Sequence, residues 1–193
     1  MENLVSHIAI ALTTFAITNI DDLLILSIYF AIPNIRVKEV VTGQYLGITA
    51  LILISLTGIV LGGILDSKYI SLLGSIPIFL GIKSLYELYK GNGQNEESEI
   101  KTNSSLSFMN VAIITFANGG DNIGVYTPLF ANIKAKTITL YLSIFTLMVG
   151  VWCFLGYYLV KHKTVKNIFE RYGRIILPFF LIILGSLILF DYL

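Results

Sequence analysis

The chain has 193 residues, of which 55% are hydrophobic and 13% charged, about half the ~25% charged content of an ordinary soluble domain. Thirteen Lys and Arg against twelve Asp and Glu leave a net charge of +1, and mean hydropathy is +0.81. These values exclude disorder, a nucleic-acid-binding surface and a water-soluble enzyme, and they point to an all-α integral membrane protein.

A hydrocarbon core ~30 Å thick needs about 20 mostly apolar residues per spanning helix. The first such stretch, Leu4 to Ile32, is interrupted by Asp21 and Asp22. It has no basic leader, and its apolar run is too long for a cleaved signal peptide, so it is expected to stay in the mature chain. Val40 to Leu65 is a clean second span without a charge, and Tyr69 to Tyr89 is a third with charges near one end. Lys90 to Asn103 is polar, acidic and Gly-containing, which predicts a flexible linker. Ser104 to Ile133 follows, interrupted by Asp121 alone; Thr137 to Val160 is free of charge; Tyr172 to Leu193 is the last. The expectation is one transmembrane domain of six helices: residues 1–89, a linker over 90–103, and residues 104–193.

The two sets of three resemble each other. An offset of one hundred lays Thr18-Asn19-Ile20-Asp21-Asp22 on Asn118-Gly119-Gly120-Asp121-Asn122, and Tyr29-Phe30-Ala31 on Leu129-Phe130-Ala131. Pro77 and Pro178, each followed by Phe, Leu and Gly, mark the third helix of each set and are expected, with Pro128, to kink their helices. Three helices per set is an odd number, so the second set must cross in the opposite sense, giving two inverted three-helix repeats. With an external N-terminus, nine Lys or Arg fall in cytoplasmic loops and three (Lys68, Lys134, Lys136) in external ones, which places both termini outside. Lys83 can pair with Glu87 one turn on.

The aspartates carry the chemistry. An ionised Asp at the centre of a spanning helix costs at least ~2.5–3.5 kcal/mol, and no Lys or Arg lies deep enough in a span to neutralise Asp21, Asp22 or Asp121. Metal cations and protons are the remaining partners. Asn19, Asn118 and Asn122 add amide oxygens, Thr18 and Thr127 add hydroxyls, and Gly119-Gly120 permits the helix to open and expose carbonyls. Such a set of carboxylates and amides suits a divalent ion. Asn19 and Asn118 would also serve as helix N-caps. Gln44 either lines the pathway or bonds to another helix. Gly58, Gly62, Gly63, Gly74, Gly81, Gly150, Gly156 and Gly185 read as close-packing positions between helices. The lone Cys153 rules out an internal disulfide and a Cys-based zinc cluster and reads as a small core residue, while His7 and His162 are too far apart for a His site.

At Thr18-Asn19-Ile20-Asp21-Asp22, and at Asn118 to Tyr126 with Pro128-Leu129-Phe130-Ala131, the sequence resembles the CadD-type cadmium resistance transporters of the lysine-exporter superfamily. The resemblance covers nearly the whole chain. It implies efflux of Cd²⁺ or Zn²⁺ across a bacterial plasma membrane without ATP hydrolysis, and no Walker-type loop is present. The expected partners are the bilayer, the transported metal and protons, with no resident cofactor and a homodimer left open.

Two other functions compete. An amino-acid or other small-solute exporter needs a partner for the substrate carboxylate, such as a buried Arg or an exposed helix N-terminus, and the absence of a buried Arg weighs against it. An intramembrane aspartyl protease needs Gly-x-Gly-Asp, whereas Asn118-Gly119-Gly120-Asp121 is one residue short of that pattern.

Overall fold

The computed structural model describes residues 2–32, 35–90, 107–160 and 163–190, which are helical throughout apart from turns, with no strand among them. In chain order the helices are α1 (Glu2–Thr18), α2 (Ile20–Ala31), α3 (Val37–Ser55), α4 (Thr57–Ile64), α5 (Ser67–Leu72), α6 (Ser75–Tyr89), α7 (Phe108–Asn118), α8 (Gly120–Asn132), α9 (Ala135–Leu159) and α10 (Lys163–Leu189).

Three stretches of the described residues are long and apolar enough to cross a membrane: Val37–Ile64, Tyr69–Tyr89 and Lys136–Leu159. A fourth is the pair Leu4–Thr18 and Ile20–Ala31, bent by 54°. The two remaining expected spans take a different form. The break at Gly119 divides the fourth stretch into helices of 11 and 13 residues, and the apolar part of α10 covers Ile175–Leu189. The predicted linker lies, from residue 91 to 103, outside the described residues.

The breaks fall at positions 19 and 119. Asn19 has φ −111° and ψ 22°, and Gly119 has φ −85° and ψ 24°, so each is a local departure from helical ψ that any residue can adopt. Helix packing follows a reciprocal pattern. α3 and α4 run along α7 and α8, α9 runs along α1 and α2, and α6 packs on α10. The second element of each half thus lies on the broken first element of the other, and third lies on third.

Glycines set the closeness of these contacts. A Cβ on Gly47 would meet Thr115 Cβ at 2.6 Å, and one on Gly81 would meet the Pro178 carbonyl at 2.7 Å. Gly43 and Gly47 hold α3 against α7 in this way, although the sequence did not single them out. Gly63 is the exception among the glycines read as packing sites, with no atom within 4 Å of its Cβ position. Pro77 is no internal kink: it sits in the first turn of α6, where the missing N–H has no intrahelical acceptor to lose. Pro128 and Pro178 do lie inside α8 and α10.

The centre is an aromatic cluster. Phe15, Tyr126, Phe130, Tyr141 and Phe145 are all at most 1% exposed, with Tyr126 and Phe145 ring centres 4.8 Å apart. On the outside, Leu53, Ile64, Phe79, Leu147, Phe154 and Ile183 are each at least 60% exposed, an apolar surface that suits lipid rather than water. Lys83 and Glu87 form the expected pair at 3.6 Å.

Candidate metal and proton site

Each broken helix restarts on its carboxylates. Asp21 and Asp22 occupy the first turn of α2, and Asp121 the first turn of α8. There the unpaired N–H groups and the positive end of the helix dipole favour negative charge. The ends of α1 and α7, one residue before, present carbonyls of opposite polarity. Two interrupted helices therefore bring both kinds of helix terminus together at the same level of the fold.

Asn118 ties the first carboxylates to the second half of the chain. Its Nδ2 donates to Asp21 Oδ2 at 2.6 Å and to Asp22 Oδ1 at 3.1 Å. Asp22 is 1% exposed, and its other oxygen, Oδ2, accepts from Gln44 Nε2 at 2.9 Å. The hydroxyl of Thr115 donates to Gln44 Oε1 at 2.7 Å. Asp121 Oδ1 accepts from the backbone N–H of Asn122 at 2.9 Å. Both ion pairs found among the described residues, Arg36–Glu39 and Lys83–Glu87, lie at the surface. Among the residues whose side chains are described, no Lys or Arg pairs with the three aspartates.

A second network lies beside the first and contains no carboxylate. Asn19 Nδ2 donates to the Tyr126 hydroxyl at 2.7 Å and to the Phe15 carbonyl at 2.8 Å, while Asn19 Oδ1 accepts from Asn122 Nδ2 at 3.1 Å. Thr18 Oγ1 gives its hydrogen to the Thr14 carbonyl at 2.8 Å, so Tyr126, 2.9 Å away, is the donor in the Thr18–Tyr126 bond. Trp152 Nε1 donates to the Asn19 carbonyl at 2.6 Å, at the break itself.

These contacts correct the capping roles expected of the two asparagines. Asn19 stands at the N-cap position of α2 but makes no side-chain cap bond, because its amide is turned to Tyr126 and Asn122. Asn118 is the last residue of α7; Gly119 holds the N-cap position of α8. Gln44 bonds between helices. Thr127 stands apart, about 9 Å along α8 from Asp121 at 1.5 Å per residue, with its hydroxyl buried and unpartnered. Gly120 is exposed, with open space at its Cβ position. Cys153 is buried in the core.

Among the described residues no group of three or more His, Cys, Asp or Glu side chains stands ready to hold a metal ion. Asn118 occupies the space between Asp21 and Asp22 with its amide hydrogens, and Asp121 is held by its own helix terminus. Of the Asn118 amide only the carbonyl oxygen could serve a cation, and it is Nδ2 that faces both carboxylates. Asn122 Oδ1, buried with no partner, is a further oxygen without a competing bond.

Tyr126, Trp152 and Thr115 are site residues that the sequence reading missed. In an apolar span each reads as core, and each partner lies on a distant helix. The family model for cadmium resistance transporters matches residues 15–192, which includes both breaks and every site residue above. No curated protein and no solved structure matches the chain.

Proposed function

Because the chain belongs to the cadmium resistance transporter family, we propose that it exports a divalent heavy-metal ion, Cd²⁺ or Zn²⁺, across the bacterial plasma membrane in exchange for protons. The observation that carries this reading is the Asp21–Asp22 pair at a helix break, Asp22 buried and Asp21 partly so, bridged by Asn118 from the other half of the chain and matched by no Lys or Arg among the residues whose side chains are described. Asp21, Asp22 and Asp121 supply the carboxylate ligands, and Asn19, Asn118 and Asn122 the amide oxygens. Thr18, Gly119, Gly120 and Gln44 border the break, and Thr127 lies farther along α8 on the path. The reciprocal packing and the matching breaks at 19 and 119 favour six spans in two inverted repeats. The Lys and Arg distribution favours external termini.

The charge arithmetic makes protons the counter-ion. Three ionised carboxylates carry −3, and a bound divalent ion leaves −1. An empty site at −3 in a low-dielectric interior is strongly unfavourable, so protons replace the metal when it leaves. Metal entering from the cytosol displaces them, and protons entering from outside help to expel it. The cycle then moves little net charge.

Metal uptake into inverted vesicles tests the reading with a panel of divalent ions and an imposed pH gradient. Collapsing the pH gradient is expected to slow transport more than collapsing the voltage alone. The reverse ranking, or indifference to both, excludes metal–proton exchange at this site.

A further inference from the structure

We propose that Thr115 and Gln44 are a positioning pair for Asp22: Thr115 anchors the carbonyl end of the Gln44 amide, so that its N–H end stays on the Asp22 carboxylate. The inference rests on the exporter reading and names residues that serve its site without touching the cation.

Three observations carry it. The first is the direction of the bonds. Only the carbonyl oxygen of a Gln side chain can coordinate a cation, and in Gln44 that oxygen accepts from Thr115 at 2.7 Å while Nε2 faces Asp22 Oδ2 at 2.9 Å. Gln44 is therefore oriented to act through Asp22 rather than on the metal.

The second is burial. Thr115 is 0% exposed, Asp22 1% and Gln44 2%, so bulk water offers no alternative partner for either end of the amide. With Asn118 on Oδ1 and Gln44 on Oδ2, both Asp22 oxygens are set by amide donors.

The third is the helix packing around Gln44. It is preceded by Gly43 and followed one turn later by Gly47, and both approach α7 closely. A Cβ on Gly43 would meet Val111 Cβ at 2.5 Å, and one on Gly47 would meet the Thr115 methyl carbon at 2.7 Å. The two helices are thus closely packed along the stretch where Thr115 reaches Gln44.

The test uses the full chain in inverted vesicles, with Cd²⁺ uptake normalised to the amount of protein in the membrane. Thr115→Val keeps the shape and the methyl packed on Gly47 and removes only the hydroxyl. It is expected to raise the half-saturating Cd²⁺ concentration about tenfold, the lower end of what loss of an outer-shell partner costs a metal site, with a smaller effect on the maximal rate. Gln44→Leu is expected to do the same. The double variant is expected to be no worse than Gln44→Leu, because the two residues form one hydrogen-bonded chain. Thr115→Ser, which restores the hydroxyl, is expected to recover most of the lost affinity. Multiplying defects in the double variant, Thr115→Ser as impaired as Thr115→Val, or Thr115→Val with the wild-type half-saturation each overturn the pair. Wild-type vesicles that move neither Cd²⁺ nor Zn²⁺ overturn the exporter reading itself.

Discussion

Asp22→Asn is expected to reduce cadmium tolerance to that of cells lacking the protein, while the amount of protein in the membrane stays close to wild type. Two effects on folding oppose each other. Removing the charge relieves an insertion cost of ~2.5–3.5 kcal/mol. The new amide nitrogen, however, faces a donor already present, either Gln44 Nε2 or Asn118 Nδ2, and a buried polar conflict of this kind costs about 1–3 kcal/mol. They offset to within a kcal/mol or two, so the fold survives. The function is not expected to survive, because the proposed site loses one of its three charges. Asp21→Asn and Asp121→Asn are expected to fail in the same way. Growth on graded cadmium, with immunoblots of the membrane fraction, reads both quantities. Wild-type tolerance in all three variants would remove the aspartates from transport.

Gly119→Leu is expected to abolish transport by forcing two helices apart. Gly119 is buried at the break between α7 and α8, and the space its Cβ would enter is filled by the side chain of Leu51 on α3. Leu51 can shift by a rotamer to admit one carbon but not a whole isobutyl group. Overpacking of that order costs ~1–3 kcal/mol, and here it also displaces the turn that aims Asn118 and Asp121. Gly120→Leu impairs transport for a different reason. Its Cβ position is open, so the side chain fills the space beside Asp121 without moving a helix. Gly63→Leu, on the exposed and uncrowded end of α4, serves as the control and is expected to transport normally. Cadmium uptake into vesicles containing equal amounts of each protein makes the comparison; normal uptake by Gly119→Leu would mean that α7 and α8 need no close approach to α3.

The aspartate segments were legible in the sequence because an uncompensated charge in an apolar run has few explanations. Gly119-Gly120 marked where the second of these segments could open, whereas nothing in the sequence marked Asn19 as the break in the first. The partners were not legible. Tyr126, Trp152 and Thr115 look like ordinary span residues, and their hydrogen bonds cross 107, 133 and 71 positions of sequence to Asn19 and Gln44. The capping expected of Asn19 and Asn118 came from local propensity, and tertiary bonds to Tyr126, Asp21 and Asp22 overrode it. Hydropathy also smoothed over the break at Gly119, which leaves α7 and α8 each too short to count as a span. Gly43 and Gly47 became meaningful only once α7 was seen lying on them.

Trp152 is the only tryptophan in the chain, and its indole N–H rests on the carbonyl of Asn19 at the bend of the first broken helix. The protein thereby carries an intrinsic optical probe at this bend. Indole emission depends on the hydrogen bonding and polarity around the ring, and here the ring is 6% exposed and packed edge-on against Phe15. Any rearrangement that straightens the bend or admits water there changes the environment of a single fluorophore, against a background of tyrosines alone. Any such rearrangement can thus be followed by the colour of the protein's own fluorescence, without attaching a label.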